Sequence, residues 1–216
     1  MKKIICLLLI LACAFAMVSC KKKNKDTEIG VDTIKNIVDG SLPTKIVTKT
    51  EYLVEGEETL TGKYTTEIDR SRGNSKFTFE YQRYARIEDM NDGRVKTVKG
   101  SVFYNADGNV SYNEGDTWEA ADATAYLPFN LDINESRFVS HEISEDGTDL
   151  RAEIAASDAK KVFGTDISAE GNITLELDTN GKYLYEVRIL YTAKGSGASV
   201  NIQTSYDYSQ VDVKFE

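Results

Sequence analysis

The sequence predicts a mostly β protein of the α+β kind, a long antiparallel sheet covered by an N-terminal helix and a short second helix. Three observations carry this. From residue 45 onward, apolar and polar residues alternate with a period of two. Turn-forming clusters break the alternation at short intervals. Helical spacing is confined to two short stretches, near residues 29–39 and 158–163.

The first helix rests on Ile29, Ile34, Ile37 and Val38, with Asp32-Thr33 early and Gly40 after them; Pro43 prevents continuation. Strands are expected over residues 45–54, 60–69, 76–87, 95–104 and 110–112. The turns between them are Glu55-Gly56-Glu57-Glu58, Ser71-Arg72-Gly73-Asn74, Asn91-Asp92-Gly93 and Asn105-Ala106-Asp107-Gly108. Asp-Gly pairs tolerate the positive φ of tight hairpins, so this is a meander. The second half repeats the style, with strands over 137–143, 150–154, 173–178, 183–192, 199–206 and a last one at 211–215. Between two of them, residues 158–163 read as a short helix capped by Ser157 and stopped by Gly164. No fixed-period repeat is present.

Facing explains the composition. Phe77, Phe79 and Tyr81 alternate with Lys76, Thr78, Glu80 and Gln82, and Tyr183, Tyr185, Val187, Ile189 and Tyr191 stand opposite Glu186 and Arg188. Each strand then has a dry face that needs a second layer. The two helices and the loop at 121–130 are a thin cover for so much sheet, which predicts an incompletely filled concave face suited to a hydrophobic ligand. Phe77, Phe79, Tyr81, Tyr185, Val187 and Ile189 are its candidate lining. Trp118 and Phe129 lie where the strand pattern lapses, and two readings stand: a mouth over a ligand, or a plug of the core, the commoner fate of large aromatic side chains.

Lys2 and Lys3 precede an uncharged apolar run from Ile4 to Met17, and Val18-Ser19-Cys20 closes it. The run makes about 21 Å of helix at about 1.5 Å per residue, short of a bilayer core of roughly 30 Å. Met17-Val18-Ser19-Cys20 resembles a bacterial lipobox, with Met where Leu is usual. Cys13 is a competing site, but apolar residues continue after it. Residues 1–19 are thus expected to be a lipoprotein signal peptide, Cys20 the acylated residue, 20–28 a flexible basic linker, and 29–216 one domain. The three cysteines, Cys6, Cys13 and Cys20, all lie in this leader, so the body carries no thiol for a disulfide or a thiolate site.

Charge is two-sided. Lys21, Lys22, Lys23 and Lys25 sit beside the expected lipid, while the chain from Asp26 holds 20 Lys and Arg against 35 Asp and Glu, a net of −15. Each lysine near an anionic surface contributes about 1 kcal/mol of attraction; the acidic body stands off. Nucleic acid is not an expected partner of so acidic a body.

His141 is the only histidine and has no second metal ligand or serine elbow in sequence. Asp178-Thr179-Asn180-Gly181 begins like a calcium loop, but Ile189 stands where a bidentate Glu is needed, so it reads as a hairpin. No P-loop, His-Glu-x-x-His, Gly-x-Ser-x-Gly or dinucleotide fingerprint occurs. The expectation is a non-enzyme without metal or cofactor.

The order of elements resembles the LolA-like superfamily, in particular LppX/LprG-type cell-envelope lipoproteins: lipidated cysteine, polar linker, helix, long meander, helical insertion, final strand pair. The nearest echo runs from Gly171-Asn172-Ile173 through Asp178-Thr179-Asn180-Gly181 to Tyr191, then from Val200 to Tyr208-Ser209-Gln210-Val211-Asp212-Val213. The resemblance implies a strongly bent sheet forming an open half-barrel around helices, and a membrane-anchored extracytoplasmic lipoprotein that holds a lipid or other hydrophobic ligand, an envelope lipid or lipoprotein carrier. The alternative is an interaction lipoprotein with a filled core and an envelope-protein partner. The membrane is the outer face of the cell membrane, with the outer membrane left open.

Overall fold

The structure is a computed structural model and describes residues 30–85, 94–113, 117–124 and 130–214. The leader, Cys20, the four basic residues after it, and Phe129 lie outside the described residues.

Ten strands form one sheet: β1 (Lys45–Leu53), β2 (Leu60–Asp69), β3 (Asn74–Tyr84), β4 (Val95–Tyr104), β5 (Val110–Asn113), β6 (Phe138–Ile143), β7 (Asp149–Ala155), β8 (Ala169–Thr179), β9 (Leu184–Ala193) and β10 (Ser199–Asp207). Among the described residues three α-helices accompany it: α1 (Val31–Gly40), α2 (Thr117–Thr124) and α3 (Ala159–Phe163). The strand order is β5-β4-β3-β2-β1-β10-β9-β8-β7-β6, antiparallel throughout and unclosed. Two local meanders therefore meet at a single long-range seam, β1 against β10, where Thr48 opposes Thr204 and Tyr52 opposes Val200.

Each half of the sheet has its own core. Over β7–β10, α1 contributes Val31 and Ile34, the segment before β6 contributes Leu131 and Ile133, and α3 contributes Val162 and Phe163. They bury Ile154, Ile173, Leu175, Leu177, Val187 and Ile189 in one aliphatic cluster. Over β2–β4, Ala120 and Ala123 of α2 cover a smaller aromatic cluster of Tyr64, Phe77, Phe79, Tyr81, Val98 and Val102. The clusters do not merge. Between them the inner face of the seam carries the buried Thr48 and Thr204, whose hydroxyls share a hydrogen bond of 3.0 Å.

The outer face is ordered by register. One row crosses nine strands as Glu142, Arg151, Glu176, Arg188, Gln203, Lys49, Lys63, Glu80 and Lys99. Its ion pairs include Arg151–Glu176 at 3.4 Å, Arg188–Glu176 at 3.3 Å and Lys99–Glu80 at 3.0 Å. Exposed pairs of this kind each contribute little, about 0–1 kcal/mol. Their main effect is to keep this face wet, which pins the register, because a one-residue slip would bury it.

Four sequence expectations change. Residues 211–214 are not a strand; side chains hold this tail instead, with Asn74 Nδ2 donating to the Val213 carbonyl at 3.1 Å and Arg72 pairing with Asp212 at 2.5 Å. Ser157 caps nothing: a 3-10 turn over Ala156–Asp158 leads into α3, and only Gly164, at φ +71, behaves as expected. Residues 117–124, expected partly as loop, are helix, and their burial is by two alanines, too small to announce a helical stripe. Finally, the dry face of β9 keeps Val187, Ile189 and Tyr191 but not Tyr183 and Tyr185. A bulge pairs Asp178 with Glu186 but Thr179 with Leu184, so Leu184 points inward with Val187, and Tyr185 is turned out.

Candidate groove at the seam

The inner face opens where the two cores stop. A groove of about 700 Å³ is lined by fifteen residues, among them Tyr52 and Thr50 of β1, Tyr64 of β2, Tyr81 of β3, Tyr191 of β9, and Val200 and Ile202 of β10, with Ala121 and Asp122 of α2 on one side. Register puts them together: Tyr52 opposes both Val200 and Leu60, Tyr191 opposes Val200, and Thr50 opposes Ile202 and Gly62.

The β2–β3 wall is an aromatic stack. Tyr64 lies between Phe77, at 6.4 Å and nearly parallel, and Tyr81, at 6.0 Å. Phe79 tilts against both Phe77 and Tyr81, at 5.9 and 6.1 Å. Offset arrangements at these separations suit the ring quadrupoles. Gly62 makes room for Tyr64. A Cβ there would fall 2.6 Å from Thr50 Oγ1 and 2.7 Å from the Tyr64 hydroxyl, so the tyrosine ring lies over the glycine.

One rim is fixed by charge. Tyr84 donates its hydroxyl to Glu57 Oε2 at 2.5 Å, Arg94 reaches Glu57 Oε1 at 2.6 Å, and the Arg94 guanidinium lies over the Tyr84 ring at 5.6 Å. The hydroxyl and then the guanidinium hold the Glu57 carboxyl below its ordinary range, and the carboxylate in turn raises Tyr84. A half-exposed ring is thereby held still. Across the groove Tyr52 donates to Ser196 Oγ at 2.7 Å. On the α2 side Arg83 pairs with Glu119 at 3.5 Å, both side chains being under one-fifth exposed, and this ties the helix to the sheet.

Of the described residues expected to line a ligand site, only Tyr81 borders this groove, and Phe129 lies outside the described residues. Phe77 and Phe79 are sealed in the aromatic core, and Val187 and Ile189 in the aliphatic core. Tyr185 is 51% exposed on the outside. Trp118 is not a core plug: it is 74% exposed, on the same helical face as Ala121 and Asp122 one turn later. Sequence reasoning missed Tyr52, Tyr64 and Tyr84. Their signal was a tyrosine in each strand near the seam, but which strands meet there is set by a pairing across some 150 residues.

A second concavity, about 390 Å³, lies on the outer face over β6–β9. There Asp149, Asp178 and Glu186 stand directly opposite one another on three strands. Burial, then Asp149 and Glu186, push the Asp178 carboxyl up. His141 is near Glu135, at 3.7 Å, and Phe138. Among the described residues no group of three or more metal-ligating side chains converges, and no helix is long and apolar enough to cross a membrane.

No family model matches the chain, and no curated protein matches it. Among solved structures it is similar to the dehydratase domain from the CurK module of curacin polyketide synthase, with 7% identity over 81% of this chain and 77% of that one and a TM-score of 0.20. The dehydratase domain from the CurF module gives 8% identity, coverages of 80% and 78%, and a TM-score of 0.16. Overlaps this low carry no inference about fold or activity.

Proposed function

We infer that the chain is an extracytoplasmic lipoprotein, anchored through acylated Cys20 and Lys21, Lys22, Lys23 and Lys25, which holds a lipid or other hydrophobic ligand in the groove at the seam. The observation that carries the reading is the groove itself: about 700 Å³ of space on the inner face, floored by Tyr64, Val200 and Ile202 between two filled cores. That size is within the range of ordinary ligand pockets, about 300–1,000 Å³. The lipobox-like Met17-Val18-Ser19-Cys20 and the likeness in element order to LolA-like lipoproteins support the same reading.

Native mass spectrometry of the full chain, released gently from cell membranes, tests it. A reproducible mass beyond the acylated polypeptide, lost when Tyr64 and Ile202 are enlarged to Trp, is the expected result. A bare acylated mass in every preparation overturns the ligand, and failure of Cys20→Ser to abolish labelling by palmitate overturns the anchor.

The alternative, an interaction lipoprotein with an envelope-protein partner, has one observation in its favour. Phe77, Phe79, Val187 and Ile189 are at most 2% exposed, so each half of the inner face is solid. A single crosslinked partner that persists when the groove is blocked would select it.

A further inference from the structure

Resting on the reading that the groove holds a ligand, we propose that its occupant is a rigid, flat, uncharged ring system with polar edges, a polycyclic or aromatic amphiphile, and not a flexible acyl chain. The lining decides this. Five of the fifteen residues are tyrosines, Tyr52, Tyr64, Tyr81, Tyr84 and Tyr191, against three large aliphatics, Leu60, Val200 and Ile202. Ring faces reward a planar partner with stacking beyond simple burial.

The polar groups point the same way. Thr50 and Asp122 edge the groove. A methylene chain laid there would strip water from them and return no hydrogen bond, a cost that a ring bearing hydroxyl or carbonyl edges avoids. The groove is also open to solvent on one side. A long acyl chain would lose the freedom of many rotors while burying one side of itself; a fused ring has almost no rotors to lose. Tyr84 is already immobilised by Glu57 and Arg94, so its ring is set before any ligand arrives. Acidic Asp122 at the edge, on a body of net −15, disfavours an anion. Arg83, the cation in the lining, is engaged with Glu119.

The test uses the full acylated chain in lipid nanodiscs, with the signal of empty nanodiscs subtracted. Four probes are titrated by calorimetry: hydrocortisone, 2-methyl-1,4-naphthoquinone, palmitate and maltohexaose. The expected result is saturable binding of at least one ring probe, weakened about fivefold by each of Tyr84→Leu and Tyr191→Leu. Leucine keeps the apolar bulk and removes the ring, so a chain-binding groove would be indifferent to both changes. Tyr84 lies at an exposed strand end, so that variant keeps the test alive if Tyr191→Leu destabilises the fold. Palmitate binding that survives both variants overturns the ring inference and leaves the ligand reading standing. Binding of maltohexaose without a ring probe also overturns it. Silence from all four probes overturns the two together.

Discussion

The two halves of the sheet solve the same packing problem with different materials. The β6–β10 half is covered from two sides, by α1 and α3, and fills its interior with branched aliphatics that are nearly all inaccessible. Among the described residues the β1–β5 half has only α2, which offers two alanines, and it fills its interior with rings from its own strands. Large rings can seal a sheet face under a thin cover because each buries about 150–250 Å². They also leave flat, polar-tipped edges where the cover stops. The groove lies at that boundary, its aromatic wall belonging to the thinly covered half and its aliphatic floor to the other.

The contrast can be broken experimentally. Phe79→Ala removes a fully buried ring from the stack and is expected to cost about 3–5 kcal/mol. Hydrogen exchange should then rise in β2–β4 and stay slow in β7–β9; equal loss of protection in both would show one cooperative core. Gly62→Ala forces Tyr64 or Thr50 aside and should destabilise by about 1–3 kcal/mol, read as a lower urea midpoint with the far-ultraviolet spectrum unchanged. In the aliphatic half, Ile173→Val should cost about 0.5–1.5 kcal/mol with no change in the groove.

Two smaller effects concern the outer face. Asp178 is raised, so its carboxylate is disfavoured in the folded state. Its unfavourable contribution is fully present above its folded pKa and fades as pH falls toward the ordinary value of 3.8. Asp178→Asn should therefore raise the melting temperature at pH 7 and have no effect near pH 3. Asp69 is opposite in sign. Its carboxylate accepts from Ser71 Oγ at 2.6 Å, the backbone of Ser71 and Arg72, and Val213 N at 3.4 Å, which holds it below 3.8. The stability it supplies is present above that value and lost as pH falls through the folded pKa. A melting curve across pH should thus rise slightly as pH falls through the raised folded pKa of Asp178 and drop once pH falls below the ordinary 3.8 toward the lowered folded pKa of Asp69. The smallest effect is expected of Tyr185→Ser, within about 0.5 kcal/mol, because the bulge has placed that ring in solvent; a larger loss would put it back inside.

Much of the fold was legible. Residues 60–69 and 95–104 have the strand bounds their alternation predicts, because a hairpin writes its period and its turn into neighbouring residues. The first helix differs from its expected start by two residues. What was hidden depends on events without a local mark. The bulge at Leu184–Glu186 reverses inside and outside for part of β9, so a correct strand assignment still put Tyr185 on the wrong face. Trp118 sits on a helix whose buried side is alanine, and aromatic size alone predicted burial that the geometry denies. The groove needed the β1–β10 pairing, which joins Tyr52 to Val200 and has no signature in either strand.

That pairing also sets an order of events. Nearly every other strand contact in the sheet joins near neighbours along the chain, and such loops close quickly. The β1–β10 ladder instead closes a loop of roughly 150 residues, an entropic cost met once and late. Until residues 199–207 have emerged and reached β1, that strand presents a bare edge of unpaired amides and carbonyls, the kind of template that invites pairing with another chain. A chain that folds in this order passes through a stage of two half-sheets whose facing edges, Lys45–Leu53 and Ser199–Asp207, are both bare until they meet.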